Sequence, residues 1–217
     1  QACPQLPVWS AVGYNDSMSS LPTSYVVVDV ETTGLSPILG DRVVELGAVR
    51  VVRGVVVGTF CQLVNPQAPI HPGAQAIHGI SAADVTHAPR MEAVLPRFIT
   101  FTAGLPLVAH NAGFDQSFLE AECRCCELTH PFADYYCTLQ LSRLVNPALP
   151  RHDLDSLVRH YGIPAHNRHR ALGDVHATRQ LYEILRRAYE SLRARPAPPV
   201  AVPSPVSEGS RWPAGSA

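Results

Sequence analysis

Apolar positions in this chain follow two periods. Short β-branched runs come first: Tyr25–Val30, Val43–Val52 and Val55–Val64 are rich in valine, which predicts three strands. Arg53-Gly54 reads as the hairpin turn between the second and third. Asn65-Pro66, Pro69 and Pro72 then break regular structure. Ser81-Ala-Ala-Asp84 opens a short helical turn. Arg90–Thr102 has helical spacing, with Pro96 predicting a kink or two pieces. Leu105–His110 reads as a fourth strand, and Tyr135–Cys137 as a short fifth. Between them, Gly113–Leu128 is predicted helical, with Phe114, Phe118, Ala121 and Cys125 on its apolar face. Leu154–Tyr161 is a helix that stops at Gly162-Ile163-Pro164. The last helix covers Ala171–Arg193, with Leu181, Ile184, Leu185 and Tyr189 at core spacing. Strands first, then alternating helices, predict an α/β layered domain with a mixed sheet.

Periodicity is lost towards both ends. Residues 1–22 are expected to form a flexible N-terminal segment, and residues 196–217 a Pro-rich disordered tail. The folded domain is expected over residues 23–195. At 217 residues and 46% hydrophobic, the chain can bury one ordinary core. Its net charge of −1 provides no global basic field, so a polyanion would have to be held by local groups or by metal ions. All 17 basic residues are Arg, a bias that runs through the whole chain and is attributed to coding composition. The cysteines (Cys3, Cys61, Cys123, Cys125, Cys126 and Cys137) include no CxxC with a partner pair. With no signal-like segment visible, the expectation is reduced thiols in a soluble, cytoplasmic protein. No apolar run approaches the length of a membrane span.

Candidate chemistry begins where the first strand ends. Asp29 and Glu31 are two positions apart, so a strand points both to one face. Two adjacent carboxylates on a buried strand repel, and a hard cation with oxygen ligands relieves that repulsion. Thr32-Thr33-Gly34 follows, and Gly34 permits a tight turn and close approach of a ligand. Asp115 stands at the start of a helix after His110-Asn111, and Asp174 stands early in the last helix. Each alone is explained by helix capping or the helix dipole. His169 precedes Asp174 by five positions, about 140° away on one helix, so the two share a site only if His169 lies in the preceding loop. Arg151, His152, Arg159, His160, Arg168 and Arg170 make a locally basic stretch. It reads equally as a phosphate contact or as a solvated surface, because Asp153 and Asp155 interrupt it.

Taken together the segments form a pattern. Val28-Asp-Val-Glu-Thr-Thr-Gly34 resembles a DxExTG motif, His110-Asn-Ala-Gly-Phe-Asp115 an HNxxFD motif, and His169-Arg-Ala-Leu-Gly-Asp174 an HRAxxD motif. Asn65-Pro66 and Ile77-His-Gly-Ile80 match the same pattern. The chain thus resembles the DnaQ-like, DEDDh 3′→5′ exonuclease superfamily, typified by the proofreading epsilon subunit of bacterial DNA polymerase III. The resemblance covers residues 25–187. It implies a ribonuclease-H-like α/β fold, with a central five-stranded mixed sheet flanked by helices.

The resemblance also implies a mechanism. Phosphodiester hydrolysis would use two Mg²⁺ ions, with Mn²⁺ able to substitute. Asp29 would touch both ions. Glu31 and Asp174 would hold the ion that binds the attacking water, and Asp115 the ion beside the leaving 3′ oxygen. His169 would be the base, since imidazole is suited to proton transfer near neutral pH. Substrate contacts would come from Thr32, Thr33, Gly34, Leu35, His78, Asn111 and Phe114, although a helical Phe114 beside Phe118 also reads as core. The implied substrate is the 3′ end of single-stranded DNA, in proofreading or repair, with release of 5′-mononucleotides. RNA or short oligonucleotides are the alternative. A DNA polymerase subunit is the implied partner and a membrane is not. A non-catalytic binding module on this fold would have lost at least one carboxylate, and all four are present. An unrelated acidic domain leaves the order of the motifs unexplained.

Overall fold

A computed structural model describes residues 20–132, 134–164 and 166–194. Most of the expected N-terminal segment, and the whole of the expected Pro-rich tail, lie outside the described residues.

Five strands form one sheet: β1 (Tyr25–Thr32), β2 (Val43–Val52), β3 (Val55–Leu63), β4 (Leu107–Ala109) and β5 (Tyr135–Cys137), in the order β3-β2-β1-β4-β5. The β1–β2 and β2–β3 pairs are antiparallel, and β1–β4 and β4–β5 are parallel. The sheet is therefore mixed, as the order of strand and helix signals predicts. Arg53 and Gly54, both at positive φ, make the tight β2–β3 turn.

Strand alternation assigns the two faces of β1. Val26, Val28 and Val30 point into a core with Met91, Leu95 and Phe98 of α3 (Met91–Thr102) and Phe118, Leu119 and Cys123 of α4 (Gly113–Cys125). Tyr25 and Val27 point the other way. They pack with Leu141 of α5 (Thr138–Val145), Leu157 of α6 (Leu154–Tyr161), and Val175, Leu181, Tyr182 and Leu185 of α7 (Ala171–Arg193). The result is a three-layer sandwich. Asp29 and Glu31 share the parity of Tyr25 and Val27, so they face the α7 layer.

Some local expectations hold and others are corrected. Pro72 opens α1 (Pro72–His78) at a position where a missing N–H costs nothing. Ser81 and Asp84 form a capping box on α2 (Ala82–Val85). Pro96 does not split α3: it and Glu92, whose carbonyl loses its helical donor, are both exposed residues. α5 was not anticipated, because two of its three buried residues, Thr138 and Ser142, are polar. On α4 the buried side is Phe118, Leu119, Glu122 and Cys123, while Cys125 is exposed. Glu122 tolerates burial because Arg42 donates Nε and Nη2 to it at 2.9 and 2.6 Å. No disulfide joins any of the described cysteines. Among the described residues, no helix is long and apolar enough to cross a membrane.

Candidate metal centre and active site

β4 ends at Ala109 while β1 continues to Thr32. The far end of β1 thus extends past its parallel neighbour, and this is where the acidic residues lie. The β1–β2 register shifts between Glu31 and Thr32, a bulge of the kind found beside active sites. Carboxylate oxygens of Asp29, Glu31 and Asp174 all lie within 4.8 Å of one another. Asp174 reaches them because α7 crosses the face that Asp29 and Glu31 share. His169 lies in the loop before α7 at φ 61°, and its N–H donates to Asp174 Oδ1 at 3.2 Å. Its side chain is half exposed, with Nε2 3.9 Å from Asp155 Oδ2.

Asp115 comes from the opposite layer, in the first turn of α4, and is buried. Its Oδ1 accepts the Val30 N–H at 3.1 Å, an amide beyond the last β1–β4 pair. It therefore flanks the converging trio without belonging to it. Asp29, Glu31 and Asp115 resist ionisation. Burial first, then the charges of Asp115 and Glu31, hold the Asp29 carboxyl well above the usual carboxylate range. Burial and Glu45 raise Glu31 to about 7. Burial raises Asp115 to about 8, even though its own backbone N–H and that of Val30 favour the anion.

Such a set fits a hard divalent cation. Its donors are all oxygens, they converge, and positive charge relieves their mutual repulsion. Asp29, Glu31 and Asp174 would hold it, with Asp115 beside them. Bound ions of this class supply charge neutralisation at a phosphoryl group and acidity to a water molecule.

Contacts between β2 and the start of α7 set where Asp174 is carried. Glu45 of β2 lies directly opposite Glu31 and is 2% exposed. It accepts Nε and Nη2 of Arg170 at 3.0 and 2.6 Å and the Ala171 N–H at 2.9 Å, so it caps the start of α7 from the sheet. Gly47, two residues on, gives α7 room to approach: a Cβ there would come within 2.7 Å of the Ala171 backbone. Of the locally basic stretch, Arg168 and Arg170 are thus committed to carboxylates, and Arg151 pairs with Asp153.

The other expected site residues fall in three places. Thr32 and Thr33 are buried in the turn after β1, where Thr32 Oγ1 donates to the Gly34 carbonyl and Thr33 Oγ1 to Asp41. A Cβ on Gly34 would lie 2.4 Å from Asp41 Oδ1, so a larger residue here would push that carboxylate off Thr33 Oγ1 and the Ser36 N–H. Leu35 is 83% exposed at its tip. His78 is buried: its Nδ1 accepts the Ile80 N–H at 2.9 Å, so Nε2 carries the proton and donates to the Thr32 carbonyl. Asn111 is exposed at φ 60°, and Phe114 packs on Phe118 with ring centroids 4.9 Å apart.

Sequence reasoning missed the roles of Glu45, Asp155 and Asp41. Glu45 had a local signal, a lone carboxylate inside an apolar strand. The other two are exposed by type and gain partners only through the fold.

Three comparisons place this geometry. A family model described as Exonuclease, of the RNase T type, matches residues 26–182. A Rhodobacter capsulatus DNA polymerase III subunit epsilon-like protein is 42% identical over 182 residues, covering 79% of this chain and 24% of that protein. The PolC-type DNA polymerase III of Caldanaerobacter subterraneus is 40% identical over 169 residues, covering 77% of this chain and 12% of that protein. This chain spans about a quarter or less of the length of these relatives. Among solved structures, exonuclease X in complex with 5′ overhanging duplex DNA superimposes with a TM-score of 0.58 at 29% identity, covering 74% of this chain and 90% of that one. By its matched domain, its three ordered motifs and its ribonuclease-H-like fold, the chain belongs to the DnaQ-like, DEDDh exonuclease family.

Proposed function

We propose that this domain removes nucleotides one at a time from the 3′ end of single-stranded DNA, in proofreading or repair. The observation that carries this reading is the convergence of Asp29, Glu31 and Asp174 beside a half-exposed histidine. Relatives named for DNA polymerase III, and a neighbour held on duplex DNA, favour DNA over RNA and favour a polymerase subunit as partner.

The chain's own residues divide the work. Asp29, Glu31 and Asp174 would seat Mg²⁺, or Mn²⁺ in its place, and Asp115 would complete the site from the other layer for a second ion. His169, anchored through its N–H to Asp174, would take the proton from the attacking water. The Thr32–Leu35 turn, locked from behind by Asp41 and by His78, would present backbone and the exposed Leu35 to the terminal nucleotide. Asn111, in the left-handed conformation at the end of β4, would offer a polar side chain to the same end of the strand. Phe114 is the remaining candidate for base contact.

One assay tests the whole reading. The protein is given 3′-labelled single-stranded DNA, a mismatched primer-template and single-stranded RNA, each with Mg²⁺ or EDTA. Stepwise release of 5′-mononucleotides from DNA is expected, abolished by EDTA and by Asp29→Ala. Activity that survives EDTA would remove the metal from the mechanism. RNA trimmed while DNA stays inert would move the substrate to RNA.

A further inference from the structure

The acidic site contains a cation that belongs to the protein. Arg168 lies in the loop before α7, and its side chain is only 19% exposed. Nη1 donates to Oδ1 of Asp174. Nε and Nη2 donate to Oδ1 of Asp155 at 2.9 and 2.8 Å. The Asp174 oxygen that meets the guanidinium also accepts the His169 N–H. Arg168 thus bridges one of the three converging carboxylates and one carboxylate outside them. Its positive charge opposes the elevation of both Asp29 and Glu31.

Electrostatics makes this arrangement exclusive. Three close carboxylates need positive charge, and here an intramolecular guanidinium supplies it. A divalent ion seated on the trio would be a like charge against Nη1 of Arg168. Asp155 provides somewhere for the guanidinium to go. It is 47% exposed, lies in the first turn of α6, and already accepts two of the three bonds. We propose that Arg168 is a tethered counter-cation of the metal centre: it occupies Asp174 until a divalent ion arrives, then withdraws onto Asp155. This rests on the metal reading given above. Two consequences follow. Ion binding is weakened by the contact it must displace. Ion entry also changes the partner set of the Asp174 oxygen that anchors the His169 backbone, so occupancy of the metal site is coupled to the position of the loop that carries the base.

Mn²⁺ binding to the full chain, followed by the EPR signal of the free ion, tests the proposal in wild type, R168Q, R168K and D29N. R168Q is expected to bind Mn²⁺ about tenfold more tightly, the equivalent of one hydrogen bond to a charged group. R168K keeps the charge and stays near wild type. A second readout needs no substitution in the observed protein. With ¹⁵N-arginine labelling, the Arg168 Nε–H resonance, assigned by its loss in R168K, should move in step with added Mg²⁺. An R168Q affinity no tighter than wild type overturns the proposal, as does an Arg168 resonance that ignores saturating Mg²⁺. If R168Q does not fold, the resonance decides alone. Failure of the metal reading looks different: wild type and R168Q both then bind no Mn²⁺. Binding that is lost in D29N but unaltered in R168Q refutes only the part assigned to Arg168.

Discussion

Gly47→Ala probes whether the start of α7 is set by contact with β2. A Cβ at this position would lie 2.7 Å from the Ala171 carbonyl carbon and 2.8 Å from both Ala171 Cβ and Leu172 N. Carbon atoms rest at roughly 3.5–4.0 Å, so something must yield by about 1 Å. Two of the three opposing atoms are backbone, and no flexible side-chain end can rotate away. β2 is hydrogen-bonded on both edges, by β1 and by β3, so the helix start is the part that moves. Asp174 lies only about one turn further along. Overpacking of this kind costs about 1–3 kcal/mol. A displacement near 1 Å at a reacting centre costs about 100-fold in rate. Urea unfolding and single-turnover release of nucleotide from a 3′-labelled oligonucleotide read the two effects separately. The expected variant is folded, somewhat less stable, and about 100-fold slower. Wild-type turnover together with a wild-type unfolding midpoint would refute the idea that this contact places Asp174.

Three further outcomes are expected. Glu45→Gln leaves Arg170 without its anion and should destabilise by about 2 kcal/mol, the low end for charged hydrogen bonds because Arg170 is half exposed and regains water; an unchanged urea midpoint would show that the brace carries no stability. His169→Ala should keep Mn²⁺ binding and lose about 10²–10⁴-fold in turnover, and retention of wild-type turnover would rule out His169 as the base. Metal-free stability should fall as pH rises. Asp29, Glu31 (about 7) and Asp115 (about 8) ionise later in the fold than in the unfolded chain, so their contribution is complete below the unfolded pKa, near ~4, and lost as pH passes through about 7–8. Saturating Mg²⁺ should cancel this loss, so its effect on Tm should grow from about pH 5 to about pH 8; an effect of constant size would contradict the assigned shifts.

How much of this was legible depends on which interactions are local. The alternation that puts Asp29 and Glu31 on one face needs only five residues of β1, and it survives intact in the fold. The place of Asp174 was readable from the order of motifs but not from spacing, because His169 and Asp174 converge only with a loop between them. Helix α5 escaped because Thr138 and Ser142 occupy buried positions normally marked by apolar residues. The buried face of α4 was misread for a related reason: Glu122 is stabilised by Arg42, 80 residues away. Glu45 had a visible signal, yet its role depends on Arg170, 125 residues later. Arg168 read equally as a phosphate contact or as surface charge until the fold set Asp155 and Asp174 on either side of it.

The position of β1 inside the sheet also bears on how the chain is made. Ribosomes extend chains at about 5–20 residues per second, whereas a hairpin closes in about 1–10 µs. β1, β2 and β3 can therefore pair as soon as they emerge. The β4 edge of β1 must wait several seconds for residues 107–109, and the face of Tyr25 and Val27 stays bare longer still, until α7 is complete. During that interval a valine-rich strand with one open edge is a template for pairing with other nascent chains. Asp29 and Glu31 sit at the open end of that strand, where charge disfavours such stacking. The two carboxylates proposed to hold a metal ion thus also place charge at the end of the strand edge that stays open longest.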